Sequence, residues 1–149
     1  MIRKFFLTFV VVIFFSNIAS AAELPVTSNF GWRIHPISGE WKFHAGVDLG
    51  YDEGSAVIAL FDGVIVQAGN YSDGYGNQVL IYHRANDTYT RYAHMSGIAV
   101  RINSQVSRGQ VIGYVGATGN VTGPHLHLEY IIPSGNGQYV YSDPLILWR

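Results

Sequence analysis

The stretch GPHLHLEY, residues 123–130, alternates two kinds of side chain. In an extended strand successive residues point to opposite faces, so His125, His127 and Glu129 line one side and Leu126, Leu128 and Tyr130 the other. One face packs, and the other carries only titratable groups. The chain has six histidines, and two of them stand here one residue apart. A short motif is read through its context, so the remainder of the chain decides whether these are surface histidines or a site.

That remainder reads as β-structure. Seventeen glycines in 149 residues exceed the roughly 7% of average usage, and they punctuate short runs rich in β-branched and aromatic residues. The pattern predicts strands near 57–60, 63–68, 78–83, 88–94, 111–115 and 125–131. Turn clusters separate them: YSDGYGN (71–77), RAND (84–87), GATGN (116–120) and PSGNG (133–137). No helical stripe occurs beyond the N-terminus. A mainly β fold follows, antiparallel because the connections are short.

The N-terminus has a basic start (Arg3, Lys4), an apolar run over 5–15 and small residues at Ala19-Ser20-Ala21. This is the arrangement of a secretory signal peptide, residues 1–21, with cleavage expected after Ala21. The run is shorter than the roughly 20 residues of a membrane-spanning helix, so no stable membrane association is expected after cleavage. Residues 22–149 are expected to form a single domain with a core over about 28–145. Removing Arg3 and Lys4 from nine basic residues leaves seven against ten acidic ones. No basic patch argues for nucleic acid. There is no cysteine, so no disulfide supports the exported chain.

A second titratable pair lies upstream in FHAGVDLG (43–50). Read as one strand, Lys42, His44, Gly46 and Asp48 share a face, and Gly46 leaves room over the backbone. His44, Asp48 and one histidine of the 125/127 pair supply two nitrogens and one oxygen. Open catalytic zinc sites use three such ligands and keep a position for water, whereas closed structural sites more often use cysteine. The other histidine of the pair then stands within proton-transfer range of the metal. His94, in RYAHMS (91–96), closes a predicted strand at a turn edge, where functional residues concentrate.

HAGVDLG, RYAHMS and TGPHLHLEY, in this order and spacing, resemble the zinc endopeptidases of the lysostaphin and LytM type, which cut peptide bridges in bacterial peptidoglycan. SNFGWRIHPISG (28–39), DGVIVQAG (62–69), GYGNQVLIYH (74–83) and SRGQVIGYVGATGN (107–120) extend the resemblance from about Ser28 to Leu145. The resemblance implies a compact antiparallel β-sheet of barrel-sandwich type that forms a groove with one zinc per chain on its floor. It implies His44, Asp48 and His127 as zinc ligands, and His94 and His125 as catalytic histidines that do not bind the metal. It further implies peptidoglycan stems or bridges as substrate, a periplasmic, cell-wall or extracellular location, and a monomer.

Glu129 shares the histidine face but matches no ligand position of that family, so a supporting role is expected. Arg33 and His35 fall in a family-like stretch as candidate groove residues, His83 matches no catalytic position, and Tyr75 reads as a packing or rim residue. The catalytic tyrosine of some family members is not assigned to a position by the sequence, so oxyanion stabilisation is expected to rest more on the histidines. Two rivals remain: a non-enzymatic adaptor of the kind formed by relatives that have lost zinc ligands, and a zinc-dependent protein acting outside the wall. All five positions are intact here, which favours the enzyme.

Overall fold

A computed structural model describes residues 23–149, so the signal segment expected over 1–21 lies outside the described residues. Twelve strands follow in order: β1 (Val26–Ser28), β2 (Gly31–Ile34), β3 (Trp41–His44), β4 (Val47–Leu49), β5 (Ala56–Ile58), β6 (Gly63–Asn70), β7 (Asn77–His83), β8 (Thr88–Ile98), β9 (Gln105–Val106), β10 (Val111–Val115), β11 (Leu126–Pro133) and β12 (Tyr139–Ser142). A short 3-10 turn, Pro144–Trp148, ends the chain, with Asp143 accepting from the Leu145 amide as its cap. Among the described residues, no helix is long and apolar enough to cross a membrane.

Ten strands form one antiparallel sheet, ordered β1-β4-β11-β8-β7-β6-β9, with β12 on β11 and β10 joining β8 to β5. The mainly β, antiparallel expectation is met. β2 and β3 form a separate two-stranded ribbon. The core collects the inward residues of the long strands: Val47, Ile65, Val79, Ile81, Met95, Ile112 and Leu128 are almost wholly buried. On β11 the alternation places Leu126 and Leu128 in this core and His127 and Glu129 on the other face, as read from the sequence.

Two local readings are corrected. HAGVDLG is not one strand: β3 ends at His44 and pairs with β2, and β4 begins at Val47 and pairs with β1 and β11. At the break the chain passes close to β11: a Cβ on Gly46 would collide with the Leu128 carbonyl and press on the His127 ring edge. Gly46 therefore lets the chain change sheets against β11, rather than clearing space for an ion. His94, in turn, does not close a strand. It sits inside β8 with φ of 61°, where the β7–β8 register shifts between Asn77↔Met95 and Val79↔Tyr92. Such a bulge bends the strand and re-aims a side chain.

Replacing Gly46 by alanine is therefore expected to cost about 1–3 kcal/mol of stability, read as a lowered urea midpoint. Gly97→Ala serves as control, since its Cβ would meet only Tyr114 Cδ2 at 4.0 Å, and it should stay within about 0.5 kcal/mol of the parent. Equal stabilities for the two variants would contradict the crowding account.

Candidate metal centre and the groove around it

β4 and β11 lie side by side with His127 opposite Asp48, and the end of β3 brings His44 to the same spot. His44 Nε2 is 3.1 Å from Asp48 Oδ1, His127 Nδ1 is 2.9 Å from the same oxygen, and the two nitrogens are 3.1 Å apart. The structure thus gathers His44, Asp48 and His127 into one triangle of donor atoms that could hold a metal ion. His125 and His94 stand beside it. His125 Nε2 is 3.6 Å from Asp48 Oδ1, and the His94 ring centroid is 4.9 Å from that of His125 and 5.7 Å from that of His127.

Each imidazole is turned by an acceptor on its outer nitrogen. His44 Nδ1 donates to the Asn29 carbonyl at 2.8 Å, His94 Nδ1 to the Thr118 carbonyl at 2.9 Å, and His125 Nδ1 to the Gly123 carbonyl at 2.9 Å. His127 Nε2 donates to Glu129 Oε1 at 3.1 Å. A neutral imidazole carries one N–H and one lone pair. With the N–H committed outward, four lone pairs face the groove floor: Nε2 of His44, His94 and His125, and Nδ1 of His127.

Two lone pairs 3.1 Å apart beside a carboxylate are stable only around a cation. The donor set therefore fits a divalent metal with imidazole and carboxylate ligands, and the acceptors behind the rings are those that orient metal-bound histidines. The smallest cation that meets the demand is a proton. Burial alone would depress His127, but its hydrogen bonds to Asp48 and Glu129 outweigh it and raise its affinity for a proton. Burial likewise pushes Asp48 up, yet its bonds to His127 and His44 hold it well below the usual carboxylate range. His94 goes the other way: burial and the neighbouring His127 pull it down to about 4, leaving it neutral at pH 7.

Glu129 is wholly buried and saturated. Besides His127 it accepts from Tyr75 Oη at 2.5 Å and from Arg91 Nε at 2.8 Å, and these bonds keep it ionised against the burial that would raise its pKa. Arg91 also bonds Gln78 and lies 4.8 Å from the Tyr75 ring centroid. The titratable face of β11 is thus not a solvent face. Its buried charges are compensated, as burial requires.

Tyr75 is the residue that the sequence reading misplaced. It lines the groove, its ring centroid 5.6 Å from that of His127, and its hydroxyl is engaged by Glu129. The signal was its position between Gly74 and Gly76, both of positive φ. A Cβ on Gly76 would strike Thr118, so this loop packs tightly on the segment that holds His94. The Tyr75 carbonyl accepts from the His94 amide at 2.8 Å. Arg33 and His35 do line the groove, whereas His83 is buried elsewhere, bonded to the Asp62 carbonyl and Thr90. The groove itself encloses about 670 Å³, with the triangle and both flanking histidines on its floor.

Comparison with known proteins identifies the family and the fold. A sequence model of peptidase family M23 matches residues 42–142, and the chain belongs to that family. The DD-carboxypeptidase/endopeptidase Mpg of Neisseria meningitidis is 45% identical over 124 residues, which span 83% of this chain and 27% of that relative. The chain thus corresponds to about a quarter of that relative's length. The catalytic domain of the antimicrobial peptidase lysostaphin from Staphylococcus simulans superposes with a TM-score of 0.74 at 31% identity, over 85% of this chain and 93% of that one. A zinc-containing peptidase from Vibrio cholerae gives 0.67 at 35% identity, over 78% of this chain and 35% of that one. The fold is that of the lysostaphin catalytic domain.

Two outcomes follow. Glu129→Gln keeps the shape but weakens the acceptor behind His127, so zinc affinity should fall about 10- to 100-fold in competition titrations, with the fold retained by circular dichroism. Unchanged affinity would remove Glu129 from the support of the site. Because His127 holds a proton more tightly than an ordinary imidazole, zinc must displace that proton near neutrality. Affinity should therefore rise with pH beyond the ordinary histidine value of about 6.5 before levelling, and calorimetry in buffers of different ionisation enthalpy should show proton release at pH 7.

Proposed function

We propose that this chain is an exported zinc endopeptidase that hydrolyses peptide cross-links or bridges of bacterial peptidoglycan. The observation that supports it most is the inward set of ring nitrogens: three donor atoms suited to a metal, with Nε2 of His94 and His125 beside them. His44 Nε2, Asp48 Oδ1 and His127 Nδ1 would hold the zinc, one per chain. When bound, zinc supplies Lewis acidity, polarising a peptide carbonyl and bringing the pKa of water toward neutrality.

The protein groups do the rest. His94 and His125 both turn Nε2 to the floor, and His94, its pKa pulled down by burial, is a proton acceptor at neutral pH. It becomes a donor only after it has taken a proton. One proton leaves the attacking water and one reaches the departing amine, and two adjacent imidazoles carry that traffic. The groove seats an extended peptide across the floor between the β2–β3 ribbon and the segment 120–124. Substrate in the wall also accords with export, with a periplasmic, cell-wall or extracellular location, and with action as a monomer.

Alanine variants separate the roles. His127→Ala should lose zinc and hydrolysis of purified walls together. His125→Ala and His94→Ala should each keep about one zinc per chain while activity falls about 10²- to 10⁴-fold, with folding checked by thermal denaturation. If His125→Ala loses its zinc and His127→Ala keeps it, the roles are reversed. If all three keep zinc and full activity, the chain is not a peptidase of this design.

A further inference from the structure

The wall of the groove opposite segment 120–124 carries a feature that metal chemistry does not use. Arg33 on β2 and Lys42 on β3 are direct cross-strand partners. Directly opposed side chains stand roughly 5 Å apart at Cβ, and like charges in that position destabilise a ribbon. This ribbon has two strands and no other strand pairing to offset the cost. The alternation also sets its faces: Trp32, Ile34 and Trp41 are exposed outward, while Arg33 and Lys42, with part of Phe43, line the groove.

Both cations are poorly matched where they stand. Lys42 pairs with Glu40 at 3.0 Å, but at an exposed site where such pairs contribute little. Arg33 has one long contact, Nη2 to Asp48 Oδ2 at 3.6 Å, and its Nε is buried without a hydrogen-bond partner. A buried unpaired donor is costly, most of all on a charged group. Asp48 is the only carboxylate among the described residues that line the groove, and two histidines already occupy its Oδ1. A chain of formal charge −1 thus concentrates positive charge on one wall of its groove.

We propose that Arg33, with Lys42 beside it, anchors a free carboxylate of the peptide that occupies the groove, so that the site selects carboxylate-bearing peptides over neutral ones. The anchor rests on the peptidase reading for its ligand class, and deepens it. A carboxylate in the groove meets the accessible amino donors of the partly exposed Arg33 guanidinium. It also separates two like charges that otherwise face each other across the ribbon. Its position beside Asp48 places the anchored end next to the metal triangle, which fixes the register of the peptide backbone.

The test is binding, measured apart from turnover. Zinc-loaded protein is titrated by calorimetry at low temperature with a tripeptide ending in D-alanyl-D-alanine, as the free acid and as its C-terminal amide. The acid should bind the parent at least about tenfold more tightly. The preference should shrink to about twofold or less in Arg33→Gln, fall only in part in Lys42→Gln, and be partly retained in Arg33→Lys, with zinc content unchanged in all three. Equal binding of acid and amide to the parent, no binding of either, or a preference that survives Arg33→Gln would each overturn the anchor. Wall hydrolysis by the same preparations is scored separately. Hydrolysis without an acid preference rejects the anchor and leaves the peptidase, whereas an acid preference without hydrolysis upholds the anchor and rejects the peptidase.

Discussion

The hydrogen bonds on the outer nitrogens of four histidines govern everything at this site. Three backbone carbonyls, of Asn29, Thr118 and Gly123, and one carboxylate, Glu129, each hold an N–H that points away from the groove. Those acceptors decide which nitrogen of each ring faces inward. Gly123 and Glu129 stand two residues from their own histidines, but Asn29 and Thr118 lie 15 and 24 positions from His44 and His94, so the chemistry of the floor depends on the sheet being correctly assembled. Local geometry orients His125 and His127, but only tertiary contacts orient His44 and His94.

The buried side of the centre follows from the same constraint. An ionised Glu129 with no solvent contact needs donors, and Arg91 and Tyr75 supply them alongside His127. Arg91 in turn is held by Gln78 and Gln67. A half-satisfied network of this kind would be worse than an apolar core. Here the satisfied network stiffens the floor from behind, while the bulge at His94 and the tight Gly74-Tyr75-Gly76 loop clamp it from the side.

Much of this was legible in the sequence where a short-range rule applied. Period-two alternation in 123–130 correctly separated Leu126 and Leu128 from His127 and Glu129, because a strand leaves no other choice. Glycine and turn clusters placed β5, β6, β7, β8, β10 and β11 to within a few residues. The failures were all tertiary. The break in HAGVDLG depends on Leu128, 82 positions beyond Gly46, and no local pattern announces it. The positive φ of His94 depends on pairing with β7, so its place inside β8 was read as a strand end. Tyr75 looked like a rim residue because its partner, Glu129, lies 54 positions away. The short strands β1, β2, β9 and β12 carry too few residues for a periodic signal.

The central claim is that His44 Nε2, Asp48 Oδ1 and His127 Nδ1 together hold the metal while His94 and His125 do not. Anomalous diffraction at the zinc absorption edge, from crystals of zinc-loaded protein, tests it most directly. The account predicts one strong peak per chain, within bonding distance of those three atoms and of no nitrogen of His94 or His125. A peak on His94 or His125, or none at the triangle in fully loaded protein, would contradict it.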